Sequence, residues 1–212
     1  MSPRRAKAVR GRVGDDPATA LREHLIDSAE KLLAERQVSA ITTRDIARTA
    51  GVSDGVLYNY FADKHELLVA ALVRRYAAVV AGFDRDLPSP GTATVEENLA
   101  IFGLAALEVV AQTLPTAAGL LSEPALLHRF IDEIHRQPFG PQRMRQPIVD
   151  YLAGEQQLGR LAPEVDVEAV VTLIMGPAFM LGFGEHIGGA PREFTAARIP
   201  AIIRTLVRGL SP

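Results

Sequence analysis

The sequence contains no cysteine. That absence excludes a disulfide scaffold, a cysteine nucleophile and a Cys-ligated zinc site, and it fits a reducing compartment. No apolar stretch follows the basic residues near the N-terminus, so no secretory leader is read there. Long uncharged runs are also missing. The one worth testing, from Ala169 to Gly184, has 16 residues and carries Gly176-Pro177 at its middle. A membrane span needs about 20 apolar residues, so a helix buried within a protein is the better reading. Strand-like alternation is scarce and no internal repeat is found. There is no Gly-rich phosphate loop, no G-x-S-x-G elbow and no H-E-x-x-H zinc motif. These absences point away from an enzyme, a cofactor, a resident metal and a membrane partner, and towards a cytoplasmic protein.

What is present is a chain of 212 residues, 48% of them hydrophobic and 23% charged. That is enough for a substantial core and too balanced for wholesale disorder. The net charge of −2 conceals an asymmetry: residues 1–76 carry +3 and residues 77–212 carry −5. Arg4, Arg5, Lys7, Arg10 and Arg12 precede the first acid, Asp15. Residues 1–17 therefore read as a flexible basic arm, either a phosphate-binding element or a plain basic tail. The preference for Arg over Lys and the richness in Ala suggest a GC-rich bacterial genome.

Apolar residues recur at helical spacing almost throughout. Leu21, Leu25, Ala29, Leu32 and Leu33 form one stripe. Short helices are predicted over 43–50 and 54–60, joined by the turn Gly51-Val52-Ser53. A long helix opens at Asp63, with Glu66 three residues on as a capping box, and ends before Pro88. Further helices are predicted over 94–114, 124–136, 141–158, 166–188 and 195–210. The chain thus reads as an all-α protein of about nine helices. A helix-turn-helix domain over 18–64 is followed by a ligand-binding and dimerisation body over 65–212.

The most informative stretch runs from Thr42 to Phe61. Two short helices joined at a glycine turn cross as a helix-turn-helix, in which the second helix enters the DNA major groove. Ile46, Ala47, Val52, Val56 or Leu57, and Phe61 anchor the unit inward. Ser53 is placed to cap the second helix. Asp54, Gly55, Tyr58 and Asn59 occupy its outer side, where side chains meet base edges and tyrosine hydroxyls meet phosphates. The alternative is a helical hairpin packed for stability alone, but Tyr58 and Tyr60 beside Asn59 make an odd plain surface.

Residues from about 20 to 70 resemble the DNA-binding region of the TetR (tetracycline-repressor) family. The matching words are Thr43-Arg44-Asp45-Ile46-Ala47, Ala50-Gly51-Val52-Ser53, Leu57-Tyr58-Asn59-Tyr60-Phe61 and Lys64-x-Glu66-Leu67-Leu68, in order and at the right spacing. The resemblance implies a three-helix DNA-binding domain and a helical C-terminal body. It implies that Thr43 touches phosphate from the start of the second helix, that Tyr58 and Tyr60 contact backbone and bases, and that Lys64 binds phosphate. The candidate DNA-binding set is Thr43, Arg44, Ser53, Asp54, Gly55, Tyr58, Asn59, Tyr60 and Lys64. Two positions depart from the family: Asp54 stands where Lys or Arg is frequent, and Val56 where Thr is. Asp54 repels phosphate unless it accepts a hydrogen bond, for instance from a cytosine amino group, which shifts affinity towards Arg44, Lys64 and the arm.

After residue 90 the resemblance thins to Gly159-Arg160-Leu161 and Asp166, which in the family link the seventh and eighth helices. The family's last two helices pair with those of a second subunit. Val170, Ile174, Ala178 and Leu181, with Ile199, Ile202, Ile203, Leu206 and Val207, are the candidates for that homodimer interface, since a monomer would expose a large apolar patch. Asn98, Glu108 and Gln112 fall in one arc of an otherwise apolar helix, either a solvent strip or the polar groups of a pocket. Phe83, Phe102, Glu108, Gln112, Met175, Phe179, Met180 and Phe183 are the candidate lining of a cavity for a small hydrophobic effector, with plain core packing as the alternative for each apolar one. His128, Asp132 and His135 have a metal-like spacing on one helix face. Leu127, Phe130, Ile131 and Ile134 on the opposite face make that triplet a solvated surface instead.

The function this predicts is a ligand-responsive transcriptional regulator. It would bind double-stranded DNA as a dimer at a palindromic operator, act as a repressor, and be released by a small apolar molecule. The alternatives are a DNA-binding regulator without a small-molecule ligand, and a helical metal-binding protein or enzyme.

Overall fold

The computed structural model describes residues 16–83, 85–140 and 142–209. The proposed arm therefore lies almost wholly outside the described residues, as does Leu210. Among the described residues the elements are α1 (Pro17–Glu35), a 3-10 turn (Val38–Ala40), α2 (Thr43–Ala50), α3 (Asp54–Leu57), α4 (Lys64–Phe83), α5 (Val95–Leu120), α6 (Pro124–Arg136), α7 (Gln142–Gln157), α8 (Val167–Gly188) and α9 (Arg192–Arg208). The fold is all-α. The chain forms two compact units, one running to Tyr76 and including Gly119–Ile134, the other comprising Ala77–Ala118 and His135–Pro212. Residues 65–76 and 119–134, assigned from sequence to the C-terminal body, thus cluster with the N-terminal unit.

The first unit closes around apolar side chains from α1 to α4. Leu25, Ala29, Ile41, Ile46, Leu57 and Leu67 are wholly buried, and Leu120 and Leu126 join the same cluster. Polar ties hold the helices around this core. Arg74 of α4 reaches three acids on one face of α1: its Nη1 donates to Glu23 (3.1 Å), its Nη2 to Asp27 (2.5 Å) and Glu30 (2.6 Å), and its Nε to Glu30 (3.0 Å). This fork-on-carboxylate geometry is the strong form of ion pair, and it raises the Arg74 pKa, with the Glu30 hydrogen bond the largest cause. Arg22 lies over the Phe61 ring, 5.0 Å from its centroid.

In the second unit α5, α7, α8 and α9 surround Phe102, Leu107, Tyr151, Leu152, Val171 and Ile203. A polar network fixes the loop before α5. Asn98 is buried and donates to Thr92 O (2.7 Å) and to Tyr151 Oη (3.1 Å). Glu155 has no exposed surface; it accepts from Gly91 N–H (3.1 Å) and pairs with Arg160 Nε (3.1 Å). Arg160 also donates to Ala93 O (2.5 Å). Burial, first of all, pushes the Tyr151 hydroxyl up to about 12, and the Glu155 carboxylate adds to it. Gly159, at φ 70°, ends the turn that delivers Arg160. The phrase Gly159-Arg160-Leu161 thus has a local physical role: it ties the end of α7 to the 88–94 loop.

Several helix boundaries differ from expectation, α9 for one beginning at Arg192 and not residue 195, and two have a clear physical reason. The helix predicted to stop at Leu114 runs through Pro115 to Leu120. Proline removes one backbone donor and costs about 3 kcal/mol inside a helix, but the continued helix carries Leu120 to a fully buried place in the first core cluster. The second helix of the helix-turn-helix ends at Leu57 rather than Tyr60, because Asn59 N–H bonds Val56 O (3.2 Å) and Tyr60 N–H bonds Leu57 O (3.1 Å), the tighter i→i+3 pattern.

Candidate nucleic-acid interface

The interface is built on α2, the Gly51 turn and α3. Thr42 caps α2 reciprocally: its hydroxyl accepts from Asp45 N–H (3.2 Å), while Asp45 accepts from the Thr42 N–H (3.1 Å) and hydroxyl (2.6 Å). These Thr42 hydrogen bonds, with Arg48 and Arg36 nearby, hold the Asp45 carboxyl below the usual carboxylate range. The Thr-x-x-Asp spacing is the sequence signal for this box. At the other end Gly51 sits in the left-handed region (φ 69°), and Val52 N–H closes back on Ala47 O (3.0 Å). Ser53 occupies the cap position of α3 with an extended backbone but makes no side-chain cap bond, so the expected capping role is not seen.

The predicted DNA-binding residues fall into two groups. Arg44, Ser53, Asp54, Gly55, Tyr58 and Asn59 are exposed. Arg44 Nε pairs with Asp54 Oδ2 at 3.3 Å, joining the start of α2 to the start of α3. Thr43, Tyr60 and Lys64 are half-buried. Tyr60 packs against the core cluster, and Lys64 Nζ donates to Ile41 O (3.0 Å). Lys64 therefore also secures the segment that leads into α2. His24, which sequence reasoning did not single out, is 3.0 Å through Nε2 from Ala50 O and ties α1 to the end of α2. Below this face Asp63 accepts from Glu66 N–H (2.8 Å) and from Arg129 (2.7 Å). Burial pushes the Asp63 pKa up, but these bonds prevail and leave it lowered.

The residues proposed for an effector cavity divide, Phe83, Phe102 and Met175 sharing the second core cluster and the others lying at the surface. Phe83 and Phe102 are core, Met175 is half-buried, and Phe179, Met180 and Phe183 are exposed. Glu108 and Gln112 are exposed and bonded to each other, and Glu108 also pairs with Arg192 (2.6 Å). The polar arc of α5 therefore divides: Asn98 is buried structure, while Glu108 and Gln112 are the solvent strip.

The proposed interface residues are also sorted differently. Ile174, Ala178, Ile199 and Ile203 are buried within the chain, Val170, Leu181, Ile202 and Leu206 are half-buried, and Val207 is exposed. The outward face of α8 is instead Leu173, Gly176, Met180, Phe183 and Ile187, with Phe179 beside it and Phe194 on α9. An all-apolar helix offers no polar side from which to tell these faces apart. By length and composition alone α5 and α8 could each cross a membrane; in the structure both are packed into the second core. His128, Asp132 and His135 are exposed on α6, and among the described residues no group of acids, histidines or cysteines gathers as for a metal ion.

A helical protein whose N-terminal unit presents a capped α2, a left-handed glycine turn and a short polar and aromatic α3 is a helix-turn-helix DNA-binding protein. The profile of the bacterial regulatory proteins of the tetR family matches residues 25–71. The HTH-type transcriptional repressor KstR2 of Mycobacterium tuberculosis is 31% identical over 160 residues, covering 72% of this chain and 75% of that protein. The regulator YvkB of Bacillus subtilis is 27% identical over 198 residues, covering 89% and 96%. Among solved structures, the transcriptional regulator FadR from Bacillus subtilis in complex with stearoyl-CoA superposes with a TM-score of 0.63 at 21% identity, covering 89% of this chain and 99% of that one. The flavonoid-responsive regulator FrrA superposes at 0.62 with 22% identity, covering 90% and 96%. The chain belongs to the TetR family and is a DNA-binding transcriptional regulator.

Proposed function

We propose that the protein is a cytoplasmic, homodimeric repressor that binds a roughly two-fold symmetric operator and releases it when a small, largely apolar effector occupies the second unit. The observation that carries the DNA-reading part is the exposed constellation of Arg44, Asp54, Tyr58 and Asn59 held on a capped α2 and a glycine turn. Each element agrees with a helix entering the major groove with its first residues against base edges. The dimer is supported by the outward apolar stripe of α8, where Leu173, Met180, Phe183 and Ile187 are all exposed and contiguous apolar exposure marks association.

The effector reading draws on a groove of about 380 Å³ in the second unit, lined by Ala77, Val80 and Ala81 of α4, Pro138 and Phe139, and Arg143 of α7. Its lining is mostly apolar, with Arg143 as its one charged residue, which suits a ligand with a largely hydrocarbon body. KstR2 is named a repressor, which agrees with the repressor part of the reading, and FadR was crystallised with stearoyl-CoA, whose stearoyl chain is hydrocarbon. The test is selection of bound sequences from a random DNA pool at fixed salt, followed by melting of the protein with fatty acids and acyl thioesters. A symmetric site and a ligand-induced rise in melting temperature support the reading. A symmetric site with no rise from any such compound leaves a DNA-binding regulator without this effector class, and no enriched site removes the DNA-reading role.

A further inference from the structure

Asp54 is an anomaly at a DNA-facing surface: a carboxylate with 56% of its side chain exposed, at the first position of α3, where a polyanion is to approach. Its partner explains it. Arg44, 85% exposed, directs Nε at Asp54 Oδ2 (3.3 Å), and among the described residues nothing else bonds that guanidinium. A guanidinium has two edges that can take a bidentate acceptor, one formed by Nε with an Nη and one by Nη1 with Nη2. Asp54 sits at the first, so the second stays open. That open edge matches guanine, whose O6 and N7 accept a bidentate arginine in the major groove. The carboxylate also restrains a long side chain that is otherwise free to swing towards any phosphate.

We propose that Asp54 is a positioning residue for Arg44, and that the pair makes Arg44 read a guanine at one base pair of the site instead of binding phosphate without regard to sequence. The proposal rests on the DNA-reading function above. It predicts that Asp54 lowers affinity for DNA in general while raising discrimination at one position. A side chain that served only stability, or only repelled DNA, would not produce that pair of effects.

The experiment uses the full chain and the site selected by the wild-type protein. Binding is measured at fixed salt against every single base-pair change and against unrelated duplex DNA, for wild type, Arg44→Ala, Arg44→Lys, Asp54→Ala and Asp54→Asn. Wild type should discriminate by on the order of 10- to 100-fold at one guanine, the range of a good bidentate contact. Arg44→Ala should abolish that preference, and Arg44→Lys should weaken it. Asp54→Ala should cut it several-fold at the same base pair while tightening binding to unrelated DNA. Asp54→Asn, which keeps an acceptor without the charge, should fall between wild type and Asp54→Ala. The proposal is overturned if Asp54→Ala keeps the wild-type preference, or if it loses preference at a different base pair, the mark of Asp54 reading a base by itself. It is also overturned if Arg44→Ala leaves every preference intact. Wild type selecting no site at all would overturn the DNA-reading function, and the proposal with it.

Discussion

The two units solve the same packing problem with opposite surfaces. In the first, α2 and α3 send Ile46, Ala47 and Leu57 inward and leave a charged, aromatic and amide-bearing outer side. In the second, α8 sends Val171, Ile174, Ala178 and Gly182 inward and still presents Met180, Phe183 and Ile187 outward, the first and last each 62% exposed. A polar outer face suits a hydrated polyanion, whose phosphates and base edges offer hydrogen bonds and charge. An apolar outer face gains free energy only by leaving water. The contrast therefore gives one chain two kinds of surface, one suited to nucleic acid and the other to the apolar contact of the proposed dimer.

The largest effect should come from charging the outward face of α8. Met180→Glu together with Phe183→Glu places two carboxylates on each protomer where the proposed dimer needs apolar contact. The double variant should sediment as a folded monomer and bind operator roughly 100-fold or more weakly, because linked half-sites no longer reinforce each other. Ile174→Ala, at a position first assigned to the interface but buried in the chain, should behave otherwise. It should cost about 2–5 kcal/mol of stability, as a truncated core residue does, and leave the oligomeric state unchanged in dilute buffer. A double variant that remains dimeric would move the interface away from this stripe.

That pair of variants also marks where the sequence was legible. The helix-turn-helix could be read because its polar outer residues and its inner Ile46, Ala47 and Phe61 alternate at helical spacing, so the face that packs is distinguishable from the face that binds. On α8 every face is apolar, and the choice between Ile174 and Leu173 depends on what α5, α7 and α9 place against it. At Pro115 the reverse holds: a strong local stop is overridden by the burial of Leu120 further along the helix. Asn98 is far in sequence from Tyr151 and Glu155, and nothing local in any of them announces the network they form.

That network offers the next test, because it belongs to the second unit alone. Tyr151 ionises at about 12 in the folded chain against an ordinary value of 10.0. The stabilisation from keeping this phenol neutral is complete below pH 10 and is lost as pH rises from about 10 to about 12, where the unfolded chain releases a proton that the folded one retains. The loss across that window should be roughly 2–3 kcal/mol. Denaturant melts at stepped alkaline pH should show it in the wild type and a shallower decline in Tyr151→Phe, which has no proton to lose. Equal slopes in the two proteins would mean that the hydroxyl is less shielded than its burial implies.

The smallest effect sharpens the first unit. Gly51 and Gly55 stand four residues apart, and a Cβ added to either would meet open space, so sterics with neighbours cannot distinguish them. Their backbones can. Gly51 is left-handed at φ 69°, where an L side chain costs roughly 1 kcal/mol; Gly55 is helical, where alanine gains about 0.5–1 kcal/mol over glycine. Gly51→Ala should therefore lower the midpoint of unfolding and Gly55→Ala should raise it slightly. Operator affinity should run against that order. The Gly51 variant, once folded, keeps its outer surface, whereas the Gly55 variant adds a methyl group to the side of α3 proposed to meet the groove, so the more stable protein should be the weaker binder. Should Gly55→Ala bind operator as well as wild type, the first turn of α3 does not approach the bases closely, and the reading surface must be centred on Arg44 and the tyrosines instead.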